Sequence, residues 1–344
     1  MIGKEVTVFA YIVRRLLWAV VLLIVLSMVT FAIFYLIPRL GGSSPETLAT
    51  RYVGRAATAE TVHLTAERLG FLDPVPVQYW NWLKGIFLGA DYDFGAGLEH
   101  CPAPCFGYSF ITHQPVWPEL LDRAPVTISL VVGASLIWLV AGVSVGVISA
   151  LRRGTVFDRG AMGIALAGVS LPIFFTGLIA LAFFSYRLRI TAPGGTFVPF
   201  SESPGRWAYS LLLPWITLAF LFAAQYARLT RAGMLETMTE DYIRTARAKG
   251  LPERTVILRH GLRGALTPVL TIFGLDVGLL LGGAVITEKT FSLNGLGKYA
   301  YDGIISNDLP KILGVTLVAG FFVIIANLIV DLLYGVIDPR VRLE

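Results

Sequence analysis

The sequence predicts an all-α integral membrane protein with six transmembrane helices, and three observations predict it. The first is composition: of 344 residues, 55% are hydrophobic and only 15% charged, against about 25% charged in a soluble domain. Mean hydropathy is +0.70. The second is a set of six apolar runs, each near the ~20 residues that cross roughly 30 Å of hydrocarbon as a helix. The third is the placement of arginine and lysine, which gather in the termini and in every second connecting segment.

The first run, 16–37, follows Arg14 and Arg15 and ends at Pro38. It is too long for a signal peptide and no small-residue cleavage site follows, so it reads as an uncleaved first helix; the same length argues against a twin-arginine signal. Residues 38–124 come next. Within them 58–69 has helical spacing, and 77–87 sets Trp80, Trp82, Leu83, Ile86 and Phe87 among polar residues, with Pro74 and Pro76 at the join. These features predict an extracytoplasmic cap resting on the membrane with tryptophans at the interface, short of an independent domain. The second run, 126–151, is opened by Pro125 and closed by Arg152 and Arg153; the third is 161–186. The fourth, 210–231, ends among Arg228 and Arg231, the fifth is 268–287, opened by Pro268, and the sixth, 312–337, precedes Asp338-Pro339-Arg340. No heptad, low-complexity tract or clear internal repeat is present, which argues against the inverted repeats of secondary transporters.

Orientation follows from charge. Arg152, Arg153 and Arg159 follow the second run; Arg244, Arg247, Lys249, Arg254, Arg259 and Arg263 follow the fourth. The N-terminus adds Lys4, Arg14 and Arg15, and the C-terminus Arg340 and Arg342. Six spans put all four segments on one face, and the positive-inside rule makes that face cytoplasmic. The expectation is a multi-pass protein of the plasma or inner membrane with both termini in the cytoplasm. The other loops of the opposite face are not free of basic residues (Arg187, Arg189, Arg206, Lys289 and Lys298), and 38–124 is too long to count for orientation. Net charge of +5 thus has a sufficient cause, and the expected partner is the lipid bilayer, not nucleic acid.

No enzyme signature emerges. Asn294-Gly295-Leu296-Gly297-Lys298 reads as a glycine-rich turn, because Ser292 stands where a phosphate loop requires its first glycine. His63, His100, His113 and His260 lack i,i+4 pairing and metal-ligand spacing, so no metal is expected. Cys101 and Cys105 are spaced C-x-x-x-C, unlike redox or zinc motifs. A local disulfide closing a proline-rich outer loop and two free thiols both fit. Asp276 is a carboxylate inside an apolar run, costing about 2.5–3.5 kcal/mol on insertion scales; it fits either the wall of a solute path or a hydrogen bond between helices. Phe174 and Phe175, after Pro172, fit either a narrowing of that path or plain packing, while Asn327 and Asp331 suit helix–helix contacts.

Residues 232–267 form a polar, basic segment between two spans. Residues 241–249 are good helix formers, with Tyr242, Ile243 and Ala246 on one side and Arg244, Arg247 and Lys249 around the other. Gly250 suits the left-handed stop of a helix, and Pro252 the first turn of a second one over 252–263, with Glu253 near its N-terminus. A short helix, a turn and another helix under the membrane could dock in a groove on a partner, with Tyr242, Ile243 and Ala246 as the apolar plug, or lie against lipid as a basic amphipathic loop.

The stretch 241–251, D-Y-I-R-T-A-R-A-K-G-L, resembles the EAA loop of binding-protein-dependent ABC importers. That family's E-A-A-x-x-x-G falls on Arg244-Thr245-Ala246-Arg247-Ala248-Lys249-Gly250, with Arg244 in place of the glutamate. The resemblance to the B-type permease of the dipeptide/oligopeptide/nickel branch covers most of the chain. It takes in Arg14-Arg15-Leu16, Glu67-Arg68-Leu69-Gly70 with Val77-Gln78-Tyr79, Leu171-Pro172 with Phe174-Phe175, and Ala227-Arg228-Leu229-Thr230-Arg231. It continues through Gly295-Leu296-Gly297 to Asn327, Val330-Asp331-Leu332-Leu333-Tyr334 and Asp338-Pro339-Arg340, whereas 99–108, with both cysteines, looks like an insertion.

The resemblance implies a type I importer permease fold and uptake of di- or oligopeptides by alternating access; nickel or oligosaccharides are the alternative cargo, and a gradient-driven secondary transporter the alternative mechanism. It assigns Asp241, Tyr242, Ile243, Arg244, Thr245, Ala246, Arg247, Lys249 and Gly250 to coupling with an ATPase. It also implies a homologous second permease subunit, two cytoplasmic ATP-binding subunits that hold ATP and magnesium, and an extracytoplasmic solute-binding protein. This chain itself is expected to bind no cofactor and to hydrolyse nothing.

Overall fold

The computed structural model describes residues 2–36, 44, 46–53, 57–93, 97–109 and 111–337. In chain order its elements are α1 (Ile2–Phe31), α2 (Glu46–Val53), α3 (Ala59–Arg68), α4 (Val75–Leu88), β1 (Ala90–Asp93) and β2 (Leu98–Cys101). Then come α5 (Val116–Leu151), α6 (Val156–Ser170), α7 (Ile173–Arg187), α8 (Pro204–Thr237) and α9 (Asp241–Ala248). The last are α10 (Glu253–Leu281), α11 (Val285–Thr290), α12 (Leu296–Ser306) and α13 (Leu309–Ile337).

The apolar runs are helical because a helix satisfies its own backbone groups without water. Val13–Phe31 of α1, Leu309–Ile329 of α13, and the whole of α5, α8 and α10 are long and apolar enough to cross a membrane. The pair α6–α7 makes a sixth if it counts as one span, but it is bent by 102°. The span expected over 161–186 thus falls on a broken pair of helices with its bend at Leu171 and Pro172. Pro172 caps α7 in extended conformation, and a proline there removes one backbone donor and disfavours helix at Leu171. Three other prolines behave differently. Pro125 and Pro268, expected to open spans, lie inside α5 and α10, as Pro214 does inside α8. A proline inside a helix frees one carbonyl, which membrane helices tolerate, and each of these helices runs on through its proline. The fifth span accordingly starts earlier than predicted and stops at Leu281, where Gly282 and Gly283 turn the chain. The predicted ends at Ile37 and Pro38, the 338–342 segment and the side chains of Lys4 and Asp331 lie outside the described residues.

The chain divides into two units. One combines Val13–Ala124 with Leu296–Phe321. Its core gathers Phe31, Ala49, Ala66, Phe71, Leu309 and Leu313. Tyr79 and Trp82 of α4 pack their rings on Phe31, at 5.4 and 6.1 Å between centroids. Helices α2–α4 thus pack with residues of α1 and α13, the first and last long helices. Thr58 caps α3 through its hydroxyl, and Trp80 and Phe87 stay exposed. The antiparallel pair β1–β2, in register Ala90 with Cys101, and helix α2 were not legible in the sequence. Cys101 and Cys105 are joined in a buried disulfide. Nearby, Ser109 donates to Asp308, Lys311 stands 3.6 Å from that carboxylate, and Tyr299 donates to Glu119 beneath Arg123, whose guanidinium lies 4.3 Å over the ring. Burial, and then the Glu119 carboxylate, raise the Tyr299 phenol far above its ordinary range.

The other unit combines Met1–Ile12, Pro125–Gly295 and Phe322–Glu344. Its core centres on Trp138, stacked on Phe222 at 4.6 Å and edge-on to Phe273 at 6.1 Å. Polar side chains bond across helices there: Trp215 Nε1 donates to the Ser129 carbonyl at 2.9 Å, and Thr127 to buried Glu288 at 2.8 Å.

Alkylation of the unreduced protein is expected to add no mass at Cys101 or Cys105, and to add at both after reduction. Two adducts without reductant would contradict the disulfide.

Candidate functional site

The amphipathic helix α9 follows directly on α8. A tight turn through Met238–Glu240 (Glu240 N–H to the Thr237 carbonyl, 3.1 Å) separates them. Asp241 sits in the first turn, where its charge favours the helix dipole, and pairs with Arg244 at 3.2 Å. Both are exposed, so the pair contributes little. Ile243 and Ala246, three residues apart, share one face and are buried with Val256 and Met238. The other face presents Asp241, Arg244, Thr245, Arg247 and Lys249 to solvent, with Tyr242 half-exposed at its edge. Burial and then Glu240 raise the Tyr242 phenol, and its hydroxyl lies 2.9 Å from where a side chain on Gly264 would begin.

The helix ends in a Schellman motif. The Gly250 N–H bonds the Arg247 carbonyl at 2.9 Å and the Leu251 N–H the Ala246 carbonyl at 3.4 Å. This closure needs positive φ at Gly250, and φ is 74° there. Nothing lies within 4 Å of where a Cβ would stand, so the constraint is conformational, not steric. Pro252 then keeps the chain extended, and Arg247 reaches across the turn to grip Glu253 with both arms, at 2.7 and 3.2 Å.

Two expectations are corrected here. Ile243 and Ala246 do not form an outward apolar plug; the helical period that joins them also turns them onto Val256 of the same chain. The second helix is not a separate element over 252–263. From Glu253 it widens through a π-type stretch, Val256–Gly261, and continues into α10, because nothing in that stretch breaks the backbone ladder. Sequence reasoning also missed the Arg247–Glu253 fork, which spans a Gly-Leu-Pro turn and has no helical spacing to betray it.

Of the intramembrane candidates, Asp276 is half-buried and accepts a hydrogen bond from the Tyr226 hydroxyl of α8 at 2.8 Å. That is the helix–helix alternative open in the sequence; Tyr226 carried no local signal for it. Phe174 and Phe175 lie on the first turn of α7, each about half exposed. Among the described residues no three His, Cys, Asp or Glu side chains converge as a metal site.

Residues 142–343 match the family described as binding-protein-dependent transport system inner membrane component, and 8–131 its N-terminal counterpart. The chain belongs to this family. A putative peptide transport system permease of Brucella abortus strain 2308 is 38% identical over 335 residues, covering 97% of this chain and 99% of the relative. The di/tripeptide permease DppB of Pseudomonas aeruginosa is 37% identical, with 97% and 98% covered, and DppB of Escherichia coli K12 34%, with 96% and 98%. A solved structure, the inward-facing MetNI methionine ABC transporter, shares the fold: TM-score 0.52 at 18% identity over 65% of this chain and 98% of that one. The protein is thus a multi-pass inner-membrane permease component of an ABC importer, a family that works with ATPase and binding-protein subunits.

Gly250→Val should cost about 1–2 kcal/mol of local stability. Amide exchange at positions 250 and 251 is expected to rise roughly 5–30-fold, while Gly250→Asn, which tolerates positive φ, changes it little.

Proposed function

We propose that this chain is the transmembrane subunit through which an ATP-driven importer takes up di- and oligopeptides. The observation that carries this reading is near-complete coverage, at 34–38% identity, of relatives named for peptide, di/tripeptide and dipeptide transport. The charge bias of the sequence supports cytoplasmic termini and a cytoplasmic α9. The exposed face of α9, with Asp241, Tyr242, Arg244, Thr245, Arg247 and Lys249, is the docking surface for an ATPase subunit. Ile243 and Ala246 act from behind by seating the helix on Val256, and Gly250 sets where it ends.

The remaining machinery lies in other chains: a homologous second permease, two ATPases that hold ATP and magnesium, and an outer solute-binding protein that presents the peptide. The permease contributes a two-state helical body. ATP-driven closure of the ATPases shifts its population between states, and a docked helix is where that bias enters.

In a strain lacking this gene, the restored chain should return uptake of a labelled dipeptide. That uptake should stop when ATP is depleted and persist when the proton gradient alone is collapsed. Uptake that follows the gradient, or restored uptake of a nickel chelate and not of peptide, would contradict the reading.

A further inference from the structure

One buried cluster has no part in the docking surface. Asp158, in the first turn of α6, is only 4% exposed. Its carboxylate is filled on both oxygens. Oδ1 accepts from the Ser149 hydroxyl of α5 and from Arg231 Nε of α8, the latter at 2.7 Å; Oδ2 accepts from the Gly154 N–H and Arg231 Nη2, at 2.8 and 2.9 Å. A planar guanidinium held by two bonds fixes orientation as well as distance, which apolar helix packing alone does not.

The location matters as much as the geometry. Arg231 lies two turns before the end of α8, just ahead of α9. Towards the other end of α6, Gly168 lets the same two helices close up: a Cβ there would meet Phe220 at 3.2 Å and Ala224 at 3.3 Å. Helix α6 is thus held against α8 near both of its own ends, and it leads straight into the 102° bend that carries Phe174 and Phe175.

We propose that Asp158 and Arg231 are positioning residues for transport: a latch that makes α6 and α8 one lever, carrying displacement of the Asp241–Ala248 helix to the bend at Leu171 and Pro172. This rests on the functional reading above. It goes beyond it in naming the contact through which motion leaves the docking helix. A static buried ion pair predicts something different, namely loss of folding alone, so the two are separable.

The test is a double-mutant cycle in the complete importer, reconstituted with its ATPases and binding protein, since coupling requires such evidence. Asp158→Asn, Arg231→Gln, their combination and Arg231→Lys are compared for labelled dipeptide moved per ATP hydrolysed, alongside the unfolding midpoint. Each single change and the double change should lower the transport ratio to one common level, about tenfold down, as expected of residues acting as a unit. Arg231→Lys, which keeps the charge and loses the fork, should fall between. Ser149→Ala removes one bond and no charge, so it serves if the charge variants fail to insert, and should lower the ratio part-way. An unchanged ratio in the folded fraction, or strictly additive losses, would overturn the latch. Wild-type importer without ATP-driven uptake would instead overturn the functional reading.

Discussion

Hydrocarbon offers no hydrogen-bond partner, and this one constraint organises the protein. Backbone groups meet it by forming helices. Inside the apolar runs, polar side chains meet it by finding one another across helices, as Tyr226 finds Asp276. Such bonds are worth little individually in a membrane, about 0.6 kcal/mol on average. Their value lies in selecting which helices become neighbours and at what rotation, something Leu and Val side chains do loosely.

Helix α9 shows the opposite regime. It is short, polar and amphipathic, and it could not persist alone as an eight-residue helix in water. Its persistence depends on seating: Ile243 and Ala246 on Val256 below, Arg247 clamped to Glu253 beyond the turn, Gly250 ending it in a closed cap. Having spent its apolar face on its own chain, it offers a partner an almost wholly polar and basic one. Docking by that face would be governed by charge and shape more than by apolar burial, and would be sensitive to salt.

Much of this was legible from residues alone. Apolar runs near 20 residues gave the spans, arginine placement gave their expected orientation, and the order D-Y-I-R-T-A-R-A-K-G-L gave the short amphipathic helix and its glycine stop. What was not legible is where local signals conflict with tertiary context. Pro125 and Pro268 look like helix starts, yet α5 and α10 run straight through them; Pro172 looks the same and stands at the bend between α6 and α7. Ile243 and Ala246 were assigned outward because their partner, Val256, lies across a turn whose geometry no periodicity encodes. The β-hairpin at Ala90–Cys101 hid because its strands are four residues each and lack apolar alternation. Asp158 and Arg231, 73 residues apart, share no pattern at all.

The two-faced character of α9 is tested most directly by site-specific crosslinking in the assembled importer, using single cysteines introduced into a chain whose native pair stays oxidised. Arg244→Cys and Lys249→Cys are predicted to crosslink to the ATPase subunit, and Ile243→Cys is predicted not to. Efficient crosslinking from position 243 with none from 244 or 249 would contradict the account.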